Sequence, residues 1–297
     1  MREGELIRHL AARVATPPGM LGIGDDCCAW TPTGRTCLSV DQIVEGVHFS
    51  PDTPPESVGR KAAAAAVSDL AAAGAKPVGA VVALGLPARW DGTAVMEGLI
   101  AELERLGCPL LGGDTTGAQQ LTLAVTVWGE VVPTAHGPGR LLTRRGAQVG
   151  DLLVITGPVG GSFASGRHLR PEPRLEEGRW FAQCPYITAA MDLSDGLAAD
   201  APKLAEASGW GCLLLPGQVP IHDDVPAMAD GVKAAMQDGE DFELLVAVAP
   251  EHWPALQLAW PFSRPLYVVG WLTPEKEHSM EDSAGRRVPL TFHGYEH

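Results

Sequence analysis

Five separate segments of the 297-residue chain carry aspartates at the ends of apolar runs or on an apolar helix face: Asp25/Asp26, Asp41, Asp69, Asp114 and Asp192/Asp195. A carboxylate in such a place is costly unless a cation or hydrogen-bond donors meet it. The repetition therefore favours a fold that gathers strand ends around bound charge. Alternating strands and helices do this, because anions and their metals bind where strands end and helices start. The strongest instance is Ala190-Met-Asp-Leu-Ser-Asp-Gly-Leu197. The apolar run predicts a strand over 186–193, and if the strand continues to Ser194, period-two alternation puts Asp192 and Ser194 on one face. Asp195-Gly196 turns the chain into a predicted helix (Leu197, Leu204, Ala205) that stops at Gly209.

The other segments repeat the theme. An amphipathic helix over 4–14 precedes the glycine-flanked pair Asp25-Asp26, and a strand from Thr36 is expected to end at Asp41, with His48 just beyond. Ser57 is expected to cap a helix whose stretch 62–73 is almost all small and apolar, interrupted at Asp69 and ended by Gly74. A strand (78–86), a helix (93–106), the glycine-rich segment Pro109 to Gly117 and a strand (121–131) follow. A Pro/Gly-rich link then divides the chain into expected domains 1–135 and 136–297. Beyond it lie Arg144, a strand over 152–156 and Gly157-Pro-Val-Gly-Gly-Ser162, which lacks the Lys-Ser/Thr ending of a Walker A loop. Residues 167–174 read as a basic loop or surface link, and Gly239-Glu-Asp-Phe-Glu-Leu places three acids at the start of a strand. The tail carries Tyr295.

A formal charge of −14 argues against nucleic acid or an anionic membrane as partner. The six cysteines show no Cys-x-x-Cys spacing and read as reduced thiols. The acidic N-terminal stretch has no apolar signal core, and no apolar run reaches transmembrane length, so a cytoplasmic protein is expected. Dispersed aspartates, glycines that admit close backbone approach and nearby hydroxyls are what phosphoryl transfer needs: charge neutralisation, phosphate cradling and in-line positioning.

The order Gly24-Asp-Asp-Cys-Cys, Asp41-x-x-x-Glu-Gly-x-His-Phe49, Ser68-Asp-Leu-Ala-Ala-x-Gly-Ala75, Gly112-Gly-Asp-Thr-Thr-Gly117, Thr143-Arg, Met191-Asp-Leu-Ser-Asp-Gly-Leu197 and Gly239-Glu-Asp-Phe-Glu-Leu resembles the thiamine-monophosphate kinase family. That family shares a superfamily with aminoimidazole ribonucleotide synthetase, selenophosphate synthetase and the hydrogenase-maturation factor HypE. The resemblance implies an α/β (α+β) fold of two domains, the first pairing its sheet across a homodimer. It implies ATP-dependent phosphorylation of thiamine monophosphate to thiamine diphosphate, with Mg²⁺ as the metal, ATP as the co-substrate and a monovalent cation as an open option. By the same resemblance Asp26, Ser39, Asp41, Asp69, Asp114, Asp192 and Asp195 hold Mg²⁺, with Asp69, Asp114, Asp192 and Asp195 central to transfer. Gly113, Asp114, Arg144 and Ser194 contact ATP, and His48, Glu240 and Tyr295 face the thiamine phosphate. Two positions depart from the family pattern, with Val40 in place of Thr and Ala66 in place of Asn. The alternatives are a sister ATP-dependent enzyme and a non-catalytic nucleotide-binding module.

Overall fold

A computed structural model describes residues 3–24, 26–133 and 139–295. The chain forms two compact units, one of Met1–Leu70 with Ala75–Pro138 and one of Ala71–Gly74 with Gly139–His297. The first contains α1 (Glu3–Arg13), β1 (Thr36–Val44), α2 (Pro55–Ala72), β2 (Ala75–Leu86), α3 (Gly92–Arg105), β3 (Leu110–Gly117) and β4 (Thr122–Val131). Its four strands lie in the order β1-β4-β2-β3, and only the β2–β3 pair is parallel.

Period-two alternation decides which side chains of this sheet are buried. Ile43, Val82, Leu84, Leu123, Val125 and Val127 form a buried face. On the opposite face Leu38 and Val40 are 65% and 60% exposed, which leaves an apolar patch uncovered within this unit.

Three local expectations shift. β1 does not end at Asp41, because Gln42, Ile43 and Val44 continue the ladder against Ala124, Leu123 and Thr122. Asp114 also lies inside its strand, opposite Ala83. Helix α2 starts at Pro55, whose missing N–H suits a first helical position, so Ser57 sits within the first turn and does not cap it. The cap of α3 is Asp91, which accepts from the backbone N–H groups of Thr93 and Ala94.

The second unit contains β5 (Leu152–Ile155), α4 (Ser162–Ser165), α5 (Leu175–Gln183), β6 (Ile187–Asp192), α6 (Leu197–Ala207), β7 (Gly211–Leu214), α7 (Gly231–Gln237), β8 (Leu244–Val248), α8 (Trp253–Ala259), β9 (Tyr267–Thr273), β10 (Ser279–Glu281) and β11 (Arg287–Pro289). Its seven strands run β11-β10-β7-β9-β5-β8-β6, with β10–β7 the parallel pair. Strand β8, next to the edge strand β6, is buried on both faces. Leu245 and Ala247 join a core with Met191, Leu197 and Leu204, while Leu244, Val246 and Val248 join another with Phe181 and Leu256. β6 is the edge strand, so its C-terminal end, carrying Asp192, opens onto the turn that leads into α6.

Helices α2 and α3 touch backbone to backbone. A Cβ on Gly59 would lie 1.9 Å from the Val95 carbonyl oxygen, and one on Gly98 would lie 2.0 Å from that of Glu56. Neither obstacle is a flexible side chain, so the helices would have to separate. Gly59→Ala is expected to destabilise the chain by about 1–3 kcal/mol or more, read from the urea midpoint of unfolding.

Candidate functional site

In the second unit two distant segments converge on the turn after β6. The backbone N–H of Glu240 donates to the Ser194 carbonyl (2.7 Å), that of Phe242 to the Leu193 carbonyl (2.9 Å) and that of Tyr295 to the Asp195 carbonyl (2.9 Å). Asp192 is buried at the strand end, Ser194, Asp195 and Glu240 are half-buried, and Tyr295 is 46% exposed. The turn closes through Gly196, whose φ of +98° suits glycine and whose Cβ would lie 2.9 Å from the Asp238 and Gln237 carbonyl oxygens.

Asp200, on the first turn of α6, fixes this turn. It is fully buried and accepts from the backbone N–H groups of Ser194 (3.0 Å) and Asp195 (2.9 Å) through one oxygen. Its other oxygen meets the Lys203 ammonium at 2.8 Å. Burial, the largest influence, raises the Asp200 pKa, and Lys203 offsets part of that rise. Lys203 also pairs with Asp195, so the close aspartates of this turn already have a cation of the chain's own. Sequence reasoning missed both residues. The available signal was an aspartate sharing the apolar face of α6 with Leu197, Ala201 and Leu204, with a lysine three residues later.

The acids before β8 serve two purposes. Glu240 has φ +61° and Phe242 φ +52°, a conformation that costs non-glycine residues on the order of 1–3 kcal/mol. Asp241 and Glu243 are buried. Asp241 accepts from the Gly160 N–H (3.0 Å) and from Arg167 (2.8 Å), and burial pushes its pKa up to about 6. Glu243 receives Arg174 through two nitrogens (2.9 and 2.6 Å) and the Thr156 hydroxyl (2.6 Å). The stretch 167–174 is thus not merely a surface link, because two of its arginines neutralise buried acids. Likewise the backbone N–H groups of Gly160 and Gly161 are committed to Asp241 and Asp238.

In the first unit the Ser39 hydroxyl donates to Asp69. Asp41, two residues along β1, shares a sheet face with Ser39. Through the strand register Asp41 aligns with Val125, Val82 and Gly113, whereas Asp114 aligns with Ala83, Ala124 and Gln42 on the other face. There Asp26, Cys28, Gly113 and Asp114 line a cleft of about 370 Å³. The structure therefore brings Ser39 and Asp69 together with Asp41 on the same sheet face, gathers Asp26, Gly113 and Asp114 around one cleft, and by register puts Asp41 and Asp114 on opposite faces of the sheet. Asp25 lies outside the described residues. The His48 ring accepts from the Val44 N–H at 3.1 Å, and its carbonyl accepts from the buried Lys61 ammonium at 2.7 Å. Glu45 of the same segment is structural: it is buried against Arg89, the Trp90 indole N–H and the Leu121 N–H, and Arg89 holds its pKa below the usual carboxylate range. Arg144 is exposed, with its carbonyl accepting from the Ser208 hydroxyl.

Among the described residues no three His, Cys, Asp or Glu side chains stand close enough together to hold a metal by themselves. The expected ligands offer oxygen only, from carboxylates and the Ser39 hydroxyl, which suits a hard cation. Mg²⁺ commonly takes only one or two carboxylates, with phosphate and water filling the rest. The donor set therefore fits Mg²⁺ accompanied by a polyphosphate better than a resident, fully protein-bound metal.

The sequence model described as AIR synthase related protein, N-terminal domain, matches residues 24–131. The crystal structure of thiamine-monophosphate kinase from Stenotrophomonas maltophilia superposes with a TM-score of 0.82 at 29% identity, covering 97% of this chain and 98% of that one. Another, described as AaThiL complexed with AMPPCP and TMP, superposes with a TM-score of 0.76 at 24% identity, covering 100% and 99%. The fold is thus that of the AIR-synthase-related proteins, built here as two α/β units. Within that class, the thiamine-monophosphate kinase of Rhodopirellula baltica is 34% identical over 294 residues, 90% of each chain. The chain belongs to the thiamine-monophosphate kinase family.

Asp241 gives this site a pH signature. Its folded pKa, about 6, exceeds the ordinary 3.8, so the folded chain holds the proton more tightly than the unfolded one. The associated stability is fully present below pH ~4 and is lost as pH rises through about 6, on the order of 3 kcal/mol in all. Urea unfolding at pH 4.5 and 7 is expected to show a smaller loss between the two for Asp241→Asn than for the unaltered chain.

Proposed function

We propose that this chain transfers the γ-phosphoryl group of ATP to the phosphate of thiamine monophosphate, forming thiamine diphosphate and ADP. One observation supports this most directly: the Glu240 segment and the Tyr295 tail, far from each other in sequence, are both hydrogen-bonded to the Ser194–Asp195 turn. Such a turn presents a carboxylate, a hydroxyl and further groups to a ligand at a strand end, where phosphates bind in α/β folds.

The acceptor is a phosphate oxygen, already anionic at neutral pH, so no general base is required. The residues have to bind, orient and neutralise. We assign Gly113 and Asp114 in the first unit and Arg144 and Ser194 in the second to ATP, with the Arg144 guanidinium suited to phosphate oxygens. His48, Glu240 and Tyr295 are assigned to thiamine monophosphate, with Tyr295 stacking on an aromatic ring. Asp26, Ser39, Asp41, Asp69 and Asp114 of the first unit and Asp192 and Asp195 of the second are assigned to Mg²⁺ ions, not to a single one, since Asp41 and Asp114 lie on opposite faces of one sheet, and Lys203 shares the charge of Asp195. When bound, Mg²⁺ neutralises phosphate charge and polarises the transferring group.

ADP formation is expected to require both thiamine monophosphate and Mg²⁺. Asp69→Asn and Asp114→Asn are each expected to lower kcat about a hundredfold or more while circular dichroism stays unchanged. Purified protein that hydrolyses or binds ATP yet makes no thiamine diphosphate would sink this reading.

We also propose that the chain works as a homodimer in the cytoplasm. Leu38 and Val40 offer an apolar strand face for a second copy, and a chain with six cysteines and no disulfide among its described residues suits a reducing compartment. Light scattering is expected to give twice the chain mass, and Leu38→Glu with Val40→Glu to reduce it to a single chain.

A further inference from the structure

Beside Glu240 lies a group of side chains with no part in the assignments above. Phe163 belongs to α4 and is 50% exposed, a large aromatic surface for a residue on so short a helix. Its ring stacks on that of His168, with centroids 4.2 Å apart and planes 22° apart. His168 is buried, and its Nδ1 lies 3.4 Å from Oε2 of Glu240. The Glu240 backbone is fixed on both sides: its N–H donates to the Ser194 carbonyl and its carbonyl accepts from the Ser162 hydroxyl at 2.8 Å. These bonds help hold it at φ +61°. The nearby cation Arg167 is committed to Asp224 and Asp241 at 2.8 Å each.

The result is an ordered series, from an exposed aromatic ring through an imidazole to a half-buried carboxylate. An aromatic face attracts a cationic or electron-poor ring, and a carboxylate accepts from an amino group. Thiamine monophosphate carries both features, a thiazolium cation and an aminopyrimidine. We propose that Phe163 and His168 form a wall of the acceptor subsite, with Phe163 stacking on a ring of the substrate and His168 positioning Glu240 for its amino group. The inference rests on the function proposed above and extends it to specificity. Phe163 touches substrate, whereas His168 acts through Glu240 and is a positioning residue.

Steady-state kinetics with ATP and thiamine monophosphate, paired with calorimetric titration of thiamine monophosphate, test this. Phe163→Ala is expected to raise the KM and Kd for thiamine monophosphate about five- to tenfold, with kcat and the KM for ATP changed less than twofold. Phe163→Leu, which keeps bulk without a π face, should behave like Phe163→Ala, and Phe163→Tyr should restore binding. His168→Ala should raise the same KM, and His168→Gln, which keeps a donor, should recover most of the loss. If the unaltered chain makes thiamine diphosphate but Phe163→Ala and His168→Ala keep its KM for thiamine monophosphate, this inference alone is overturned. If the unaltered chain makes no thiamine diphosphate, the proposed function falls and this inference falls with it.

Discussion

The Asp200 carboxylate is the contact on which the second unit's candidate site depends. It is fully buried, receives two consecutive backbone N–H groups from the turn after β6 and is neutralised by Lys203. A buried carboxylate deprived of such partners costs several kcal/mol, so the turn and the first turn of α6 hold each other in register. Because that turn is rigid, its carbonyls can anchor the Glu240 segment and the tail. Ser194, Asp195, Glu240 and Tyr295 are therefore brought together by backbone bonds to one turn.

Around this turn the chain neutralises acids with its own cations. Arg167 meets Asp241 and Asp224, Arg174 meets Glu243, and Lys203 meets Asp195 and Asp200. In the first unit Arg89 does the same for Glu45. Of the residues that the sequence reading assigns to Mg²⁺, Asp195 is thus balanced by a cation of the chain's own. Asp26 and Asp114, by contrast, lie nearer solvent and line one cleft.

Much of the fold was legible because its signals are local. The period of β4 (Leu123, Val125, Val127), the small-residue run of α2 and the stops at Gly74, Gly107 and Gly209 each act over a few residues. Strand limits were less legible, since β1 runs on past Asp41 only because β4 supplies partners as far as Thr122. The short helices and strands of the second unit escaped notice for a related reason: pieces such as α7, β10 and β11 are held by their neighbours more than by their own pattern.

By itself the sequence determined which residue types are available: oxygen ligands without zinc-like cysteine spacing, glycines at turns and an ordered set of segments shared with one kinase family. Only the tertiary structure decided what each acid does. Asp241, Glu243, Asp200 and Glu45 differ little from Asp114 as letters, yet those four are buried against a cation or backbone donors while Asp114 is exposed. Likewise, register alone put Asp41 and Asp114 on opposite faces of one sheet. The reason is physical: a carboxylate's role follows from the charges and donors within a few ångströms of it, and those come from parts of the chain far away in sequence.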